Sequence, residues 1–404
     1  MQYEKLVQNT VSCSINISNN NVDSLRKSDD LKTVIRVYDG GKIGIAGAVG
    51  PCDDNFLLEQ AKTKLSQGIP YPCNLVARIH RVEDCSGEII ADGGEVEVCR
   101  SLIKRLADSY PGFIFSNKIN TQNYTASYTN SLDAQYSYKS NNITLSLTIK
   151  AKDSANIMDL GYFAEQTYYS EDKIVRDIGA LLNVYNNISE IPEGAPVLIP
   201  AEVIEFLIPH MLAEKYVSGS SMLSGKLGFV IFNKHLNISV CRRRDNKQNI
   251  PFFDSEGTVL KGDEFPLVKD GVFSGLLTYK RSAANHSLPL SGSAVSDFDS
   301  VPSAGEEAIK LMPTCPSLKT LVRGKAIYIA VTSGGDMTPS GDVGLPVLAA
   351  FVYEDGKLLG RLPEFSLSAN IFDLLGKDLI GVAKNDAFAY ADETLIVANC
   401  KMNC

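Results

Sequence analysis

The chain predicts an α+β fold and not a doubly wound parallel sheet. Three observations lead there. Alternating, β-branched stretches meet at Asp39-Gly40-Gly41, Lys269-Asp270-Gly271 and Glu354-Asp355-Gly356, which are hairpin signatures because Gly tolerates positive φ. Other segments carry apolar residues at helical spacing. The two kinds do not alternate regularly, as strand–helix–strand crossovers would require.

Residues 1–30 are polar and predict a leading helix or strand with little core. Residues 32–38 (KTVIRVY) alternate, and 42–47 (KIGIAG) return after the glycine turn, so a hairpin is expected. Asp53 and Asp54 stand where N-caps stand, ahead of a helix through Phe56, Leu57, Ala61 and Leu65. Ile69-Pro70-Tyr71-Pro72 ends it. Residues 95–110 predict an amphipathic helix on Val96, Val98, Leu102, Ile103 and Leu106. The strand-rich segment 112–152 predicts consecutive antiparallel strands at 124–128, 135–138 and 143–151, with one wet face. Residues 171–183 predict another helix, and 186–194 read as a linker. The expected division is an N-terminal α+β hairpin domain, 1–190, and a mainly antiparallel β domain, 191–404.

In the second part, 196–200 predict a short buried strand. Residues 201–216 form an apolar helical pattern carrying His210, followed by a Ser/Gly-rich turn to Gly228. Strands are expected at 227–232, 236–240, 326–332, 346–353 and 395–398, a hairpin across 264–277, and a short helix at 372–379. Residues 251–257 (PFFDSEG) form an acidic loop, and 333–342 a Gly-rich loop that is neither a P-loop nor a dinucleotide fingerprint. Arg242-Arg243-Arg244 predicts a solvated strand end, with Cys241 beside it buried and inert.

Length and composition bound the function. The chain has 404 residues, 44% of them hydrophobic, which suffices for two cores. A net charge of −8 repels phosphate backbones and argues against a nucleic-acid ligand. The polar N-terminus lacks the apolar core of a signal peptide, and no apolar run could span a bilayer, so a cytoplasmic protein is expected. Nine scattered Cys without a CxxC pair predict free thiols.

Several C-terminal landmarks occur in order. They are Ser220-Ser221-Met222-Leu223-Ser224-Gly225-Lys226-Leu227-Gly228, Pro251-Phe252-Phe253-Asp254-Ser255-Glu256-Gly257 and Leu267-Val268-Lys269-Asp270-Gly271-Val272. Ser291-Gly292-Ser293-Ala294, Ser340-Gly341-Asp342, Leu367-Ser368-Ala369-Asn370 and Lys384-Asn385-Asp386 follow. Their order and spacing resemble the TldD/PmbA family, once called modulators of DNA gyrase. The hairpin at 36–44 resembles that family's first domain. The resemblance implies a C-terminal domain built around a deep central cleft. It implies His210, Ser221, Asp254, Glu256, Gly257, Gly341 and Asn370 as cleft or peptide-binding candidates.

The family has two branches. TldD-like members carry a helical H-E-x-x-x-H zinc motif and are metallopeptidases. PmbA (TldE)-like members lack it and pair with a TldD-like subunit to degrade or trim unfolded peptides. With His210 in the second His position, Glu205 stands at the first and Phe206 where the catalytic Glu belongs. Pro209 interrupts the motif. The chain's four His (His80, His210, His235 and His286) include no pair at metal-ligand spacing. The Cys ligand expected after Lys384-Asn385-Asp386 is missing, and Cys400 and Cys404 lie later in a polar tail. A lone His on an apolar helix is more often a satisfied core residue than a ligand.

Asp254 and Glu256 could divide acid and base roles if their pKa values were pushed apart. The simpler reading is a turn whose carboxylates accept backbone N–H bonds. The sequence therefore points to a non-catalytic PmbA (TldE)-like subunit with no cofactor. Its expected partner is a TldD-like metallopeptidase, and its expected ligand an unfolded peptide. The alternatives are a self-sufficient peptidase with a rebuilt zinc site around His210 and Glu205, and a homodimeric peptide-binding protein.

Overall fold

The computed structural model describes residues 1–243 and 250–403. The N-terminal half contributes β1 (Gln2–Ser18), β2 (Asn21–Asp39), β3 (Lys42–Val49), α1 (Asp54–Lys64), β4 (His80–Asp84), α2 (Glu95–Ser109), β5 (Phe113–Asn130), β6 (Gln135–Ala151), β7 (Leu160–Gln166) and α3 (Glu171–Leu182). Its strands form one sheet in the order β3-β2-β1-β5-β6-β4, with β7 also on β6. All pairs are antiparallel except β4 with β6.

Local chemistry accounts for these elements. Gly40 and Gly41 take φ of 56° and 74°, which closes the β2–β3 turn as a tight hairpin. The Asp53 carboxylate accepts from the Phe56 N–H and starts α1. The polar leading segment is entirely strand: Asn19 and Asn20, at φ 49° and 65°, turn β1 into β2. Residues 135–138 and 143–151 belong to a single long strand, β6, because its backbone stays paired with β5 through the polar Asn141-Asn142 step.

The C-terminal half contributes β8 (Val197–Pro200), α4 (Ala213–Val217), β9 (Ile238–Cys241), β10 (Glu264–Lys269), β11 (Val272–Phe273), α5 (Lys280–His286), β12 (Ala294–Val295), β13 (Ser303–Ala304), β14 (Ile309–Leu311) and α6 (Leu318–Leu321). It continues with β15 (Ala326–Thr332), β16 (Asp336–Met337), β17 (Asp342–Glu354), β18 (Lys357–Arg361), β19 (Phe365–Asn370), α7 (Ile371–Leu374), β20 (Leu379–Lys384), β21 (Thr394–Ala398) and β22 (Lys401–Asn403). One sheet runs β20-β21-β8-β15-β17-β19-β22, with β16 and β18 attached to β17. A second runs β11-β10-β9-β14, and β12–β13 form a small ribbon. The fold is thus mixed, with predominantly antiparallel sheets.

Several expectations in this half need correction. Residues 227–232 are turn and irregular chain, tied by an isolated bridge between Val230 and Val272 and by backbone bonds to Gly271 and Phe273. The helix at 372–379 is the single turn α7, after which β20 begins at Leu379. Arg242 is buried and not solvated, with its guanidinium donating to the carbonyls of Gly292, Pro251 and Phe253 at 2.8, 3.0 and 2.9 Å. Arg244 lies outside the described residues. Cys241 is buried, as expected. Cys400 is half-buried and leads into β22, which pairs with β19, so it is not part of a loose tail; Cys404 lies outside the described residues.

Hydrophobic packing joins the halves. One core unites Ile15, Leu102, Phe115, Leu145 and Ile178 with Leu198, Phe351, Tyr390 and Leu395. A second, aromatic core unites Tyr38, Tyr124, Tyr128 and Tyr136 with Phe252, Phe253 and Tyr279.

Candidate functional site

The motif-bearing segment is not the continuous helix expected for 201–216. It breaks into two 3-10 turns, Ala201–Phe206 and Ile208–Met211, and the short α4. Pro209 sits in the first turn of the second piece, where its missing N–H is tolerated. Glu205 is exposed and Phe206 half-buried on the first turn, whereas His210 is half-buried on the second. His210 Nδ1 accepts a hydrogen bond from the Met222 N–H at 3.3 Å, and its carbonyl accepts from Ser221 Oγ at 2.6 Å. Burial and the charge of Lys215 both push the imidazole pKa down, toward the neutral ring that accepts this bond. His210 and Ser221 therefore stitch the motif segment to the Ser/Gly turn.

The acidic loop behaves as the simpler reading expected. Asp254 is buried, and Oδ1 accepts from the N–H of Glu256 and Thr258 at 3.0 and 2.9 Å, while Oδ2 accepts from Ala294 N–H at 3.1 Å. The turn splays Glu256 away into a sealed polar cluster. Its Oε1 accepts from Tyr71 Oη at 2.5 Å, its Oε2 from the Lys280 N–H at 2.8 Å, and its carbonyl from Lys280 Nζ at 2.8 Å. Gly257, at φ 70°, closes the turn; a Cβ there would lie 2.3 Å from the Tyr128 ring.

The same cluster reaches across the halves to residues the sequence reading missed. Arg36 Nη1 donates to Glu4 Oε1 at 2.8 Å and to the Ser255 carbonyl at 2.6 Å. Tyr38 and Tyr128 each donate to Glu4 at 2.8 Å, and Lys280 Nζ stands 3.7 Å from Glu4. Burial alone would raise the Glu4 carboxyl; the charges of Lys280 and Arg36 outweigh it and hold the carboxyl below its ordinary range. Glu256 goes the other way: burial pushes it up to about 7 despite Lys280, with Asp254 adding to the rise. No local pattern in the sequence announces this cluster; Glu4 and Arg36 meet because the β1–β2 register sets them directly across from one another.

Gly341 and Asn370 lie in a different place. The Gly-rich loop ends in a polar knot in which Ser340 Oγ donates to Asp342 at 2.7 Å and Asn370 Nδ2 donates to Asp342 and to the Ser340 carbonyl at 3.1 Å each. These bonds depress the Asp342 pKa, Ser340 first and then Asn370. The knot borders a pocket of its own, formed with Asp378, Cys400 and Lys401.

A cavity of about 1300 Å³ lies between the two halves. One wall is the β1–β5 face at Leu6, Gln8 and Tyr124; the other includes Glu205, Asp254 and β14. Of the candidate residues, Glu205 and Asp254 line it, and Glu256 and Gly257 are packed behind Asp254.

Two family models match the sequence. The model of the PmbA/TldA metallopeptidase C-terminal domain matches residues 194–398, half the chain, and that of PmbA/TldA metallopeptidase domain 1 matches residues 4–57. The chain belongs to the PmbA/TldD family. No curated protein matches its sequence. Among solved structures it is similar to TldE from Thermococcus kodakarensis, with a TM-score of 0.77 and 16% identity over 100% of this chain and 97% of that one. It is also similar to a protein described as a modulator of a DNA gyrase from Thermotoga maritima, with a TM-score of 0.80 and 16% identity over 100% and 95%. A third, described as a modulator of DNA gyrase from Bacteroides thetaiotaomicron, gives 0.71 and 14% over 100% and 94%. At such identities these structures establish the shared fold.

The metallopeptidase description of the PmbA/TldD family implies a metal, and the donors here do not fit one. Phe206 offers no donor, Glu205 sits on a separate turn from His210, and His210 Nδ1 is already engaged by Met222. Among the described residues, no group of three His, Cys, Asp or Glu is placed to hold a metal ion. No helix among the described residues is long and apolar enough to cross a membrane.

Proposed function

We propose that this chain is a non-catalytic TldE-like subunit. It pairs with a TldD-like zinc metallopeptidase in the cytoplasm and holds unfolded peptide substrates for degradation or maturation. The observation that carries this reading is the motif segment: its first ligand position is Glu205, its base position is Phe206, and its remaining imidazole accepts a backbone bond. Around it, within the stretch that matches the family's C-terminal domain, the Ser221 bond and the Asp254 turn hold the segment's surroundings in place. A subunit of this kind contributes a chamber wall and a peptide-binding edge, and leaves the water-activating chemistry to its partner.

Co-expression with a TldD-like subunit followed by size-exclusion chromatography tests the pairing. The expected result is a stable heteromeric complex that cleaves unfolded peptide, with the isolated chain inert. The reading fails if no complex forms and the isolated chain cleaves such peptides in a chelator-sensitive way.

A further inference from the structure

We propose that the cavity between the halves selects a basic, extended polypeptide segment and pairs it to the outer edge of β14. The inference deepens the peptide-holding role proposed above and rests on it. β14 is an edge strand whose one neighbour among the described residues is β9. On its β9 side, the Ala308 carbonyl accepts from Cys241 N–H at 2.7 Å and Met312 N–H donates to the Asn237 carbonyl at 2.9 Å. Because backbone groups alternate sides along an antiparallel strand, Ile309 and Leu311 direct theirs the opposite way. Both residues line the 1300 Å³ cavity, and Ile309 and Lys310 also line an adjoining cavity of about 970 Å³. The outer edge of β14 thus runs along two cavities that share its residues, with donors and acceptors that have no partner among the described residues and that an added strand satisfies.

The side chains around this edge set the occupant. Glu202, Glu205, Asp297, Glu306 and Glu307 line the main cavity and are exposed. None forms an ion pair with another described residue. Among the described residues that line it, the opposing cations are Lys310, half-buried, and Arg242, whose buried guanidinium is committed to three carbonyls. Among the described lining residues the carboxylates outnumber the free cations, which attracts Lys and Arg side chains and disfavours acidic segments. Main-chain pairing supplies tolerance of sequence order, and the acidic walls supply the preference for charge.

The test uses the isolated full chain and two labelled, unstructured peptides of equal length, one carrying Lys and the other Glu at the same alternating positions. Fluorescence anisotropy at low salt is expected to show the Lys peptide binding about tenfold or more tightly, with the gap narrowing as salt rises. Glu306→Gln with Glu307→Gln changes two exposed side chains and should weaken the Lys peptide about three- to tenfold while sparing the Glu peptide. Ile309→Pro removes an N–H that faces away from β9, so the sheet keeps its own bonds while both peptides weaken alike. Thermal melts confirm that each variant is folded. Equal binding, a preference for the Glu peptide, no binding of either, or a Lys preference untouched by the double Gln variant each overturns the inference. If the chain still forms its complex with a TldD-like subunit, equal binding or a Glu preference removes the charge selectivity alone, whereas no binding of either peptide removes the peptide-holding role as well and leaves only the pairing standing.

Discussion

Two carboxylate-rich regions lie a short way apart in this molecule and serve opposite ends. In the sealed cluster, Glu4 and Glu256 are 1% and 0% exposed and nearly every oxygen is spoken for by Arg36, Lys280 and tyrosine hydroxyls. In the main cavity, Glu202, Glu205, Glu306 and Glu307 are exposed and face open space. The first region comes from both halves of the chain and fixes how they meet. The second is free to meet a ligand. Chemical type alone does not separate the two; burial and partnering do.

The sharpest way to break the contrast is to leave a charge stranded in the sealed cluster. Arg36→Met removes the guanidinium that bridges Glu4, the Ser255 carbonyl and Ser296 Oγ. It should cost about 3–5 kcal/mol in urea unfolding, because Glu4 is left buried with only Lys280 for compensation. Adding Glu4→Gln should return part of that loss, since the uncompensated charge goes with it. A loss in Arg36→Met no larger than for a surface substitution would show that the cluster does not join the halves.

The next effect is a pH dependence confined to the sealed region. Glu256 faces Lys280, Asp254 and Tyr71, with Glu4 and Arg36 behind them, and its carboxyl is raised from 4.5 to about 7. A raised folded-state pKa means the native protein holds the proton more tightly than the unfolded chain. The stability this confers is full below about pH 4.5 and is lost as pH rises through about 7. Denaturant midpoints should show wild type losing on the order of 2–3 kcal/mol across that window relative to Glu256→Gln. Glu4 runs in the opposite sense, its contribution being present above its ordinary range and lost in acid, so the comparison must be made against the Gln variant and not against pH alone. Parallel pH profiles for the two proteins would contradict it.

A backbone substitution tests the same junction from another side. Gly257→Ala places a methyl group against the Tyr128 ring at a φ of 70° and should cost about 1–3 kcal/mol. Tyr128→Leu in the same chain should relieve the contact but not the φ, so only part of the loss returns.

Much of this fold was legible in the sequence. The Asp39-Gly40-Gly41 hairpin, the Asp53 cap and the amphipathic face of α2 carry local signals that the structure obeys. The β1–β2 ribbon was not legible, because most of β2 before Thr33 is exposed and so has no apolar alternation to read. Its turn was written in Asn19-Asn20, two residues that tolerate left-handed backbone without glycine. The site divided the same way. Asp254 as an N–H acceptor followed from a short acidic turn, whereas the partners of Glu256 come from Tyr71 and Lys280, far along the chain, and no local pattern announces them. The broken helix at 201–211 shows a local rule prevailing over apolar periodicity: Pro209 restarts the chain as a second turn.

His210 sits between these extremes, half-buried and two residues beyond Ile208, which lines the cavity, and gives the smallest effect. Its one side-chain bond among the described residues is the long contact from the Met222 N–H. His210→Ala should therefore cost about 0.5–1.5 kcal/mol, and His210→Asn should recover much of it by offering an oxygen near the place of Nδ1. Because the imidazole pKa is lowered by burial and then by Lys215, wild type should weaken as pH falls below 6.5, and the Asn variant should not. In the complex with a TldD-like subunit, both variants should leave peptidase activity within about twofold of wild type, as expected of a residue that props the Ser/Gly turn. A collapse of activity on His210→Asn, with stability preserved, would place the imidazole in the chemistry and make the open region catalytic.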